Sequence, residues 1–99
     1  VIARHWRGLA RADRAADYLQ HLRTETFPAL ERLAGFVDAS ILRRPLPGGV
    51  EFLLITRWTS LEAIAGFSGG DVEVAVVPEA VAAMMIEYDR RARHFEVLE

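Results

Sequence analysis

The segment EFLLITRWTSLEAIAGF, residues Glu51–Phe67, changes its period halfway along. Up to Trp58 it is rich in β-formers whose apolar and polar positions alternate, the repeat of a strand. Ser60 then offers a hydroxyl to cap a helix, with Glu62 in the first turn where an acid suits the helix dipole. The helix is expected from Leu61 to about Phe67, ending at Gly69–Gly70. Trp58 stands at the junction and has two readings. It is a core side chain with its indole nitrogen satisfied, or it lines a site where something binds.

Upstream, FVDASILRRPLPGGV (Phe36–Val50) carries proline and paired glycines between Pro45 and Gly49, which make a turn between two strands. Before it, RADRAADYLQHLRTETFPALERLAG (Arg11–Gly35) reads as one long helix. Ala15, Leu19, Leu22, Leu30 and Leu33 form its apolar stripe, Asp13 lies near its start, and Gly35 suits a left-handed cap. Pro28 has no N–H for the carbonyl of Thr24, so a kink or break is expected near Phe27. VIARHWRGL (Val1–Leu9) reads as the first strand, with Ile2, Arg4 and Trp6 on one face and Ala3, His5 and Arg7 on the other.

Downstream, DVEVAVVPEAVAAMM (Asp71–Met85) is ambiguous. Val72, Val74 and Val76 alternate as in a strand, whereas Asp71 can cap a helical turn and Pro78 can open another. Short helices are preferred over Val72–Val77. EYDRRARHFEVLE (Glu87–Glu99) reads as a closing strand, with Arg91, Arg93, Phe95 and Val97 opposite Ala92, His94, Glu96 and Leu98. The order is β, long α, β, β, shorter α, β. That is the split βαβ pattern of a ferredoxin-like α+β fold, an antiparallel sheet with helices on one face, in a single domain over residues 1–99. Every strand carries apolar residues on both sides, so the uncovered face calls for a partner surface. A twofold homodimer, sheet against sheet, would supply it.

Composition narrows the function classes. The 99 residues carry 12 basic and 14 acidic side chains, a net charge of -2, which argues against a nucleic-acid binder. All the basic residues are arginine, and asparagine is absent; a GC-rich genome accounts for both. There is no cysteine, which excludes disulfide, thiol and cysteine–zinc chemistry and fits a reducing, cytoplasmic setting. No apolar run approaches the ~20 residues that cross a bilayer, so no membrane partner is expected.

Three stretches at this spacing resemble the antibiotic biosynthesis monooxygenase family of dimeric α+β barrels: ARHWRG (Ala3–Gly8), FLLITRWTSLEAIAGFSGGD (Phe52–Asp71) and RHFEV (Arg93–Val97). The likeness covers nearly the whole chain. It implies a pocket between sheet and helices. In members that need neither metal nor flavin, an electron-rich quinol or anthrone supplies the electrons itself. The polar groups that such a pocket would draw on here are His5, Arg7, Arg57, Tyr88 and His94. Haem-degrading relatives use a first-strand asparagine, a tryptophan on the second helix and a histidine about ten residues later. Aligned on the Trp-x-Ser junction, this chain has no asparagine, Phe67 at the tryptophan position and Val77 at the histidine position. Haem breakdown by that route is therefore not expected.

The resemblance thus implies a cofactor-independent monooxygenase acting on a small aromatic molecule, with no cofactor and no metal. His5 or His94 would be the base, near the ordinary histidine pKa of ~6.5. Arg57 or Arg7 would stabilise an anionic oxygen, with Trp58, Phe67 and Tyr88 as binding surfaces. Each has a plainer reading. Trp58 suits the core, His5 and His94 suit structural or exposed positions, and the pair needs a third ligand such as Asp89 or Glu96 to hold a metal. His21 reads as solvated. Arg4 and Arg7 are expected to pair with carboxylates at a dimer rim, and Arg90, Arg91 and Arg93 to solvate a sheet edge. Phe52, Met84 and Met85 suit core packing or a soft lining. A non-catalytic small-ligand or stress-response dimer is the alternative function, and haem binding without the usual ligand a third.

Overall fold

The computed structural model describes all 99 residues. Strand β1 (Ile2–Ala10) is followed by a 3-10 turn (Ala12–Arg14), helix α1 (Ala15–His21), a π-helical turn (Leu22–Thr26) and helix α2 (Phe27–Glu31). Strands β2 (Phe36–Leu46) and β3 (Gly49–Trp58) form a hairpin. Helices α3 (Leu61–Ser68) and α4 (Glu79–Ala82) and strands β4 (Met85–Tyr88) and β5 (Arg93–Glu96) complete the chain. The sheet runs β2-β3-β1-β4, all antiparallel, and β5 pairs with the other end of β1. This is the ferredoxin-like α+β arrangement that the sequence pattern predicts.

The expected break before Pro28 takes the form of a wide turn. Phe27 N–H donates to the carbonyl of Leu22, a five-residue step, so the rod adjusts its winding just ahead of the missing proline N–H. The junction at Trp58 also forms as its residues dictate. Ser60 is extended, and its hydroxyl accepts the N–H of Ala63 at 3.2 Å to cap α3. Gly35 adopts φ 87° because the chain must turn into β2 beneath α3, where a Cβ would lie 2.4 Å from that of Ala63.

Two stretches differ from expectation. The closing strand is two strands, because the chain leaves the β1 ladder between Tyr88 and Arg93. There Asp89 N–H donates to the Arg7 carbonyl, and Ala75 and Ala92 exchange bonds with Arg90 and Glu73. The Asp71–Val77 segment is neither helix nor strand. Asp71 accepts the N–H of Glu73 in a tight turn, Val74 makes a single bridge to Arg91, and the only helix nearby is α4, which starts after Pro78.

The helices cover one face of the sheet. Two apolar clusters pack beneath them, one around Tyr18, Leu22, Phe52, Val81, Met84 and Met85, the other around Leu30, Trp58 and Ile64. The opposite face carries no layer. There β1 presents His5 and Arg7 beside Ile55 and Leu53 of β3, with Leu42 and Phe95 about half exposed. No helix is long and apolar enough to cross a membrane.

Candidate functional site

A partly open, mostly apolar cavity of about 70 Å³ lies between the two clusters. Its floor is the helix-covered face of the sheet: Arg4 and Trp6 from β1, Leu54 and Thr56 from β3. The helical rod contributes Tyr18 from α1, Leu22 and Thr26 from its π turn, and Phe27 and Leu30 from α2. Phe67 of α3 closes one end, and Val76, Pro78 and Val81 form a roof over the other. Gly8 makes room for the floor. A Cβ there would fall 2.6 Å from the Trp6 indole, so only glycine lets that ring lie along the strand. Trp6 Nε1 donates to the Asp89 carbonyl at 2.8 Å, which fixes the ring.

The charge in this cavity is Arg4. The residue is 5% exposed, and no carboxylate pairs with it. Nη1 donates to the Val72 carbonyl and meets His94 Nε2 at 2.9 Å, while Nη2 donates to the Val74 carbonyl at 2.8 Å. The guanidinium also lies 5.7 Å from the centre of the Phe67 ring. Burial pushes its pKa down, yet an arginine keeps its charge. His94 is lowered as well, chiefly by desolvation and then by Arg4, with Glu73 opposing. A neutral His94 accepts from Arg4 through Nε2 and so carries its proton on Nδ1.

The sequence-derived candidates divide between the two sheet faces. Phe67 lines the cavity, and His94 reaches it through Arg4. Trp58 does not line it. The indole is fully buried, donates to Thr56 Oγ1 at 2.9 Å, and stacks behind Phe67 with centroids 6.0 Å apart. Trp58 therefore serves as core and as the backing of a wall. Tyr88 packs against the first cluster beneath the Arg90 guanidinium. His5, Arg7 and Arg57 project from the uncovered face, because the register sets Arg4 opposite His94 and His5 opposite Arg93. The two histidines thus cannot share a site within one chain.

On that uncovered face three arginines have carboxylate partners. Arg7 bonds Glu51 at 2.5 Å, Arg44 holds the other oxygen of the same carboxylate, and Arg57 bonds Asp38 at 2.8 Å. The two arginines hold the Glu51 carboxyl below its ordinary pKa. His5 is lowered by desolvation and by Arg93 and Arg57, and packs edge-on against Phe95. Arg7 pairs with carboxylates of its own chain, and Arg4 pairs with none. Arg91, expected at a solvated edge, pairs with Asp71 and Glu73. No three metal-ligating side chains of the His, Cys, Asp or Glu types come together.

Residue reading missed Arg4 as a cavity group and missed Tyr18 altogether. The Tyr18 hydroxyl finds no partner in the chain, yet no sealed side-chain oxygen or nitrogen lacks one, so it opens onto accessible space. Burial raises its pKa, which keeps it a donor. Its signal was its place four residues before Leu22 on the stripe that begins at Ala15.

No family model and no curated protein sequence matches the chain. Solved structures do. A Bacillus cereus protein provisionally named an antibiotic biosynthesis monooxygenase is similar over 99% of this chain and 92% of its own, at TM-score 0.69 and 17% identity. The haem degrader MhuD from Mycobacterium tuberculosis, solved with two haems in its active site, is similar over 98% and 96%, at TM-score 0.59 and 21% identity. The residues here do not fit a haem. The cavity is far smaller than a macrocycle, and His94, the one histidine beside it, has its Nε2 engaged by Arg4. What the likeness establishes is that this chain has the fold found in the antibiotic biosynthesis monooxygenase family, as its sequence resemblance implied.

Proposed function

We propose that the cavity binds a small electron-rich aromatic molecule and that the chain is a cofactor-independent monooxygenase of a single-ring quinol. The observation that carries the reading is an apolar cavity with one buried cation, Arg4, touching one neutral base, His94. Trp6, Leu54 and Phe67 would hold the ring and exclude water. His94 Nε2 would take the phenolic proton as Arg4 swings from the imidazole to the oxygen left behind. The balance is quinol plus O2 to hydroxyquinone plus water. One oxygen atom ends on a ring carbon, the other leaves with two hydrogens from the quinol, and the substrate supplies all the electrons. About 70 Å³ is less than the ~150 Å³ that holds benzene in an engineered apolar cavity, so even one ring requires the Val76–Pro78 roof to yield. A three-ring anthrone would demand much more.

Oxygen uptake with 1,4-hydroquinone and its methyl derivatives tests this. Uptake by the protein should exceed that of His94→Ala at least tenfold; equal rates would remove His94 as base. The second reading, a ligand-binding protein without chemistry, draws on the engagement of the His94 lone pair by Arg4. Ligand binding with no oxygen uptake would favour it. In either case we propose a homodimer through the uncovered sheet face. That face carries Leu42, Leu53, Ile55 and Phe95 together with both signs of charge, which suits a twofold copy of itself. Sedimentation at micromolar concentration should give twice the chain mass.

A further inference from the structure

We infer that the cavity recognises a carboxylate: its ligand is a small apolar acid, anchored side-on by Arg4 and by the hydroxyl of Tyr18. The inference rests on the second reading above, a ligand-binding protein without chemistry, because it gives Arg4 to a carboxylate rather than to a quinol oxygen. It follows from an inventory of hydrogen-bonding groups. A guanidinium has five N–H donors. In Arg4, two from Nη1 and one from Nη2 are taken by Val72, His94 and Val74. Nε–H and the second Nη2–H have no acceptor in the chain. These two nitrogens share one edge of the group, the edge that meets both oxygens of a carboxylate in parallel bonds. Nor is Nε sealed in packed protein, since no buried side-chain nitrogen lacks a partner.

The remaining polar groups point the same way. Tyr18, 2% exposed, brings a hydroxyl with no partner and lines the same cavity. The Thr26 hydroxyl is likewise unpartnered. Thr56 Oγ1 already accepts from Trp58, which leaves it a donor. Trp6 N–H is committed to Asp89. No carboxylate lines the cavity. The site is therefore rich in donors around a buried cation and lacks its counter-charge. A carboxylate satisfies Arg4 with two bonds; a phenolate, with one oxygen, leaves half the fork unfilled. The volume limits the apolar body to a few carbons, or one ring once the roof yields.

The test is calorimetric titration of the intact protein with butyrate and benzoate, against 1-butanol and benzyl alcohol as neutral counterparts and 4-nitrophenolate as a phenolate. Each carboxylate should bind at least about tenfold tighter than its alcohol, as hydrogen bonds to an ion imply, and benzoate tighter than 4-nitrophenolate. Arg4→Gln should abolish the preference. Tyr18→Phe, which removes only a hydroxyl, should weaken benzoate about three- to tenfold with an unchanged circular dichroism spectrum. If Arg4→Gln does not fold, the probe ratios on the unmodified protein decide alone. Alcohols binding as tightly as acids would overturn the carboxylate assignment while leaving the cavity as the ligand site, and a preference for 4-nitrophenolate would do the same. No binding by any probe would overturn both.

Discussion

Arg4 and Arg7 sit three residues apart on β1 and meet opposite fates. Arg7 faces the uncovered side, where Glu51 and Glu87 pair with it at 2.5 and 3.4 Å. Arg4 faces the helices, is almost wholly buried, and has two backbone carbonyls, an imidazole and the Phe67 ring beside it but no carboxylate. Burying a charge without a counter-charge is costly, and a fold that retains one there leaves an anion's place open. On the proposed reading the uncovered face, where Arg7, Arg44 and Arg57 have carboxylate partners, meets another protein surface. On the same reading the covered face meets a ligand.

The largest effect should come from the wall that keeps the cavity open. Trp58 is fully buried and backs Phe67, so Trp58→Ala should destabilise the chain by about 3–5 kcal/mol in urea titration. A loss below about 1 kcal/mol would mean that the covered face is not packed as described. The two arginines come next. Arg4→Met strips the Val72 and Val74 carbonyls of their donor and should cost about 1–3 kcal/mol. Arg7→Met breaks partly exposed pairs and should cost about 1 kcal/mol or less. The reverse order would erase the distinction between the faces.

The smallest effect concerns pH. His94 and His5 both have folded pKa values below the ordinary 6.5, so between the folded value and 6.5 the unfolded chain binds more protons. Their contribution to stability is fully present above 6.5 and is lost as pH falls through the folded values. His94 faces Arg4 and Glu73, His5 faces Arg93 and Arg57. Urea midpoints should decline from pH 7.5 to 5.5, and His94→Gln, which keeps an acceptor for Arg4, should reduce the decline. An unchanged slope would show that His94 is not held neutral.

Much of the architecture was legible because strand and helix periods differ and because proline, glycine and serine mark the junctions. The parity of β1 was legible too, and it correctly set Arg4 and Trp6 against His5 and Arg7. Which of these faces the helices was not, since arginine occupies both. The relation of His94 to His5 depends on the β1–β5 register. That register follows from the excursion of the chain at Asp89–Ala92, held by backbone bonds to Arg7 and Glu73 that no side-chain pattern announces. Tyr18 was hidden for a different reason. It lies next to Leu19 at ordinary helical spacing from Ala15 and Leu22, and spacing alone does not say which of the two neighbours is the more deeply buried.

The most direct test follows the Nε–H of Arg4 by 15N-resolved NMR while benzoate is added. A carboxylate on Arg4 should give a large downfield shift of that one proton, with the Nε–H signals of Arg7 and Arg57 nearly still. Movement of Arg7 and Arg57 with Arg4 unmoved would place the anion on the uncovered face and rule out Arg4 as its anchor.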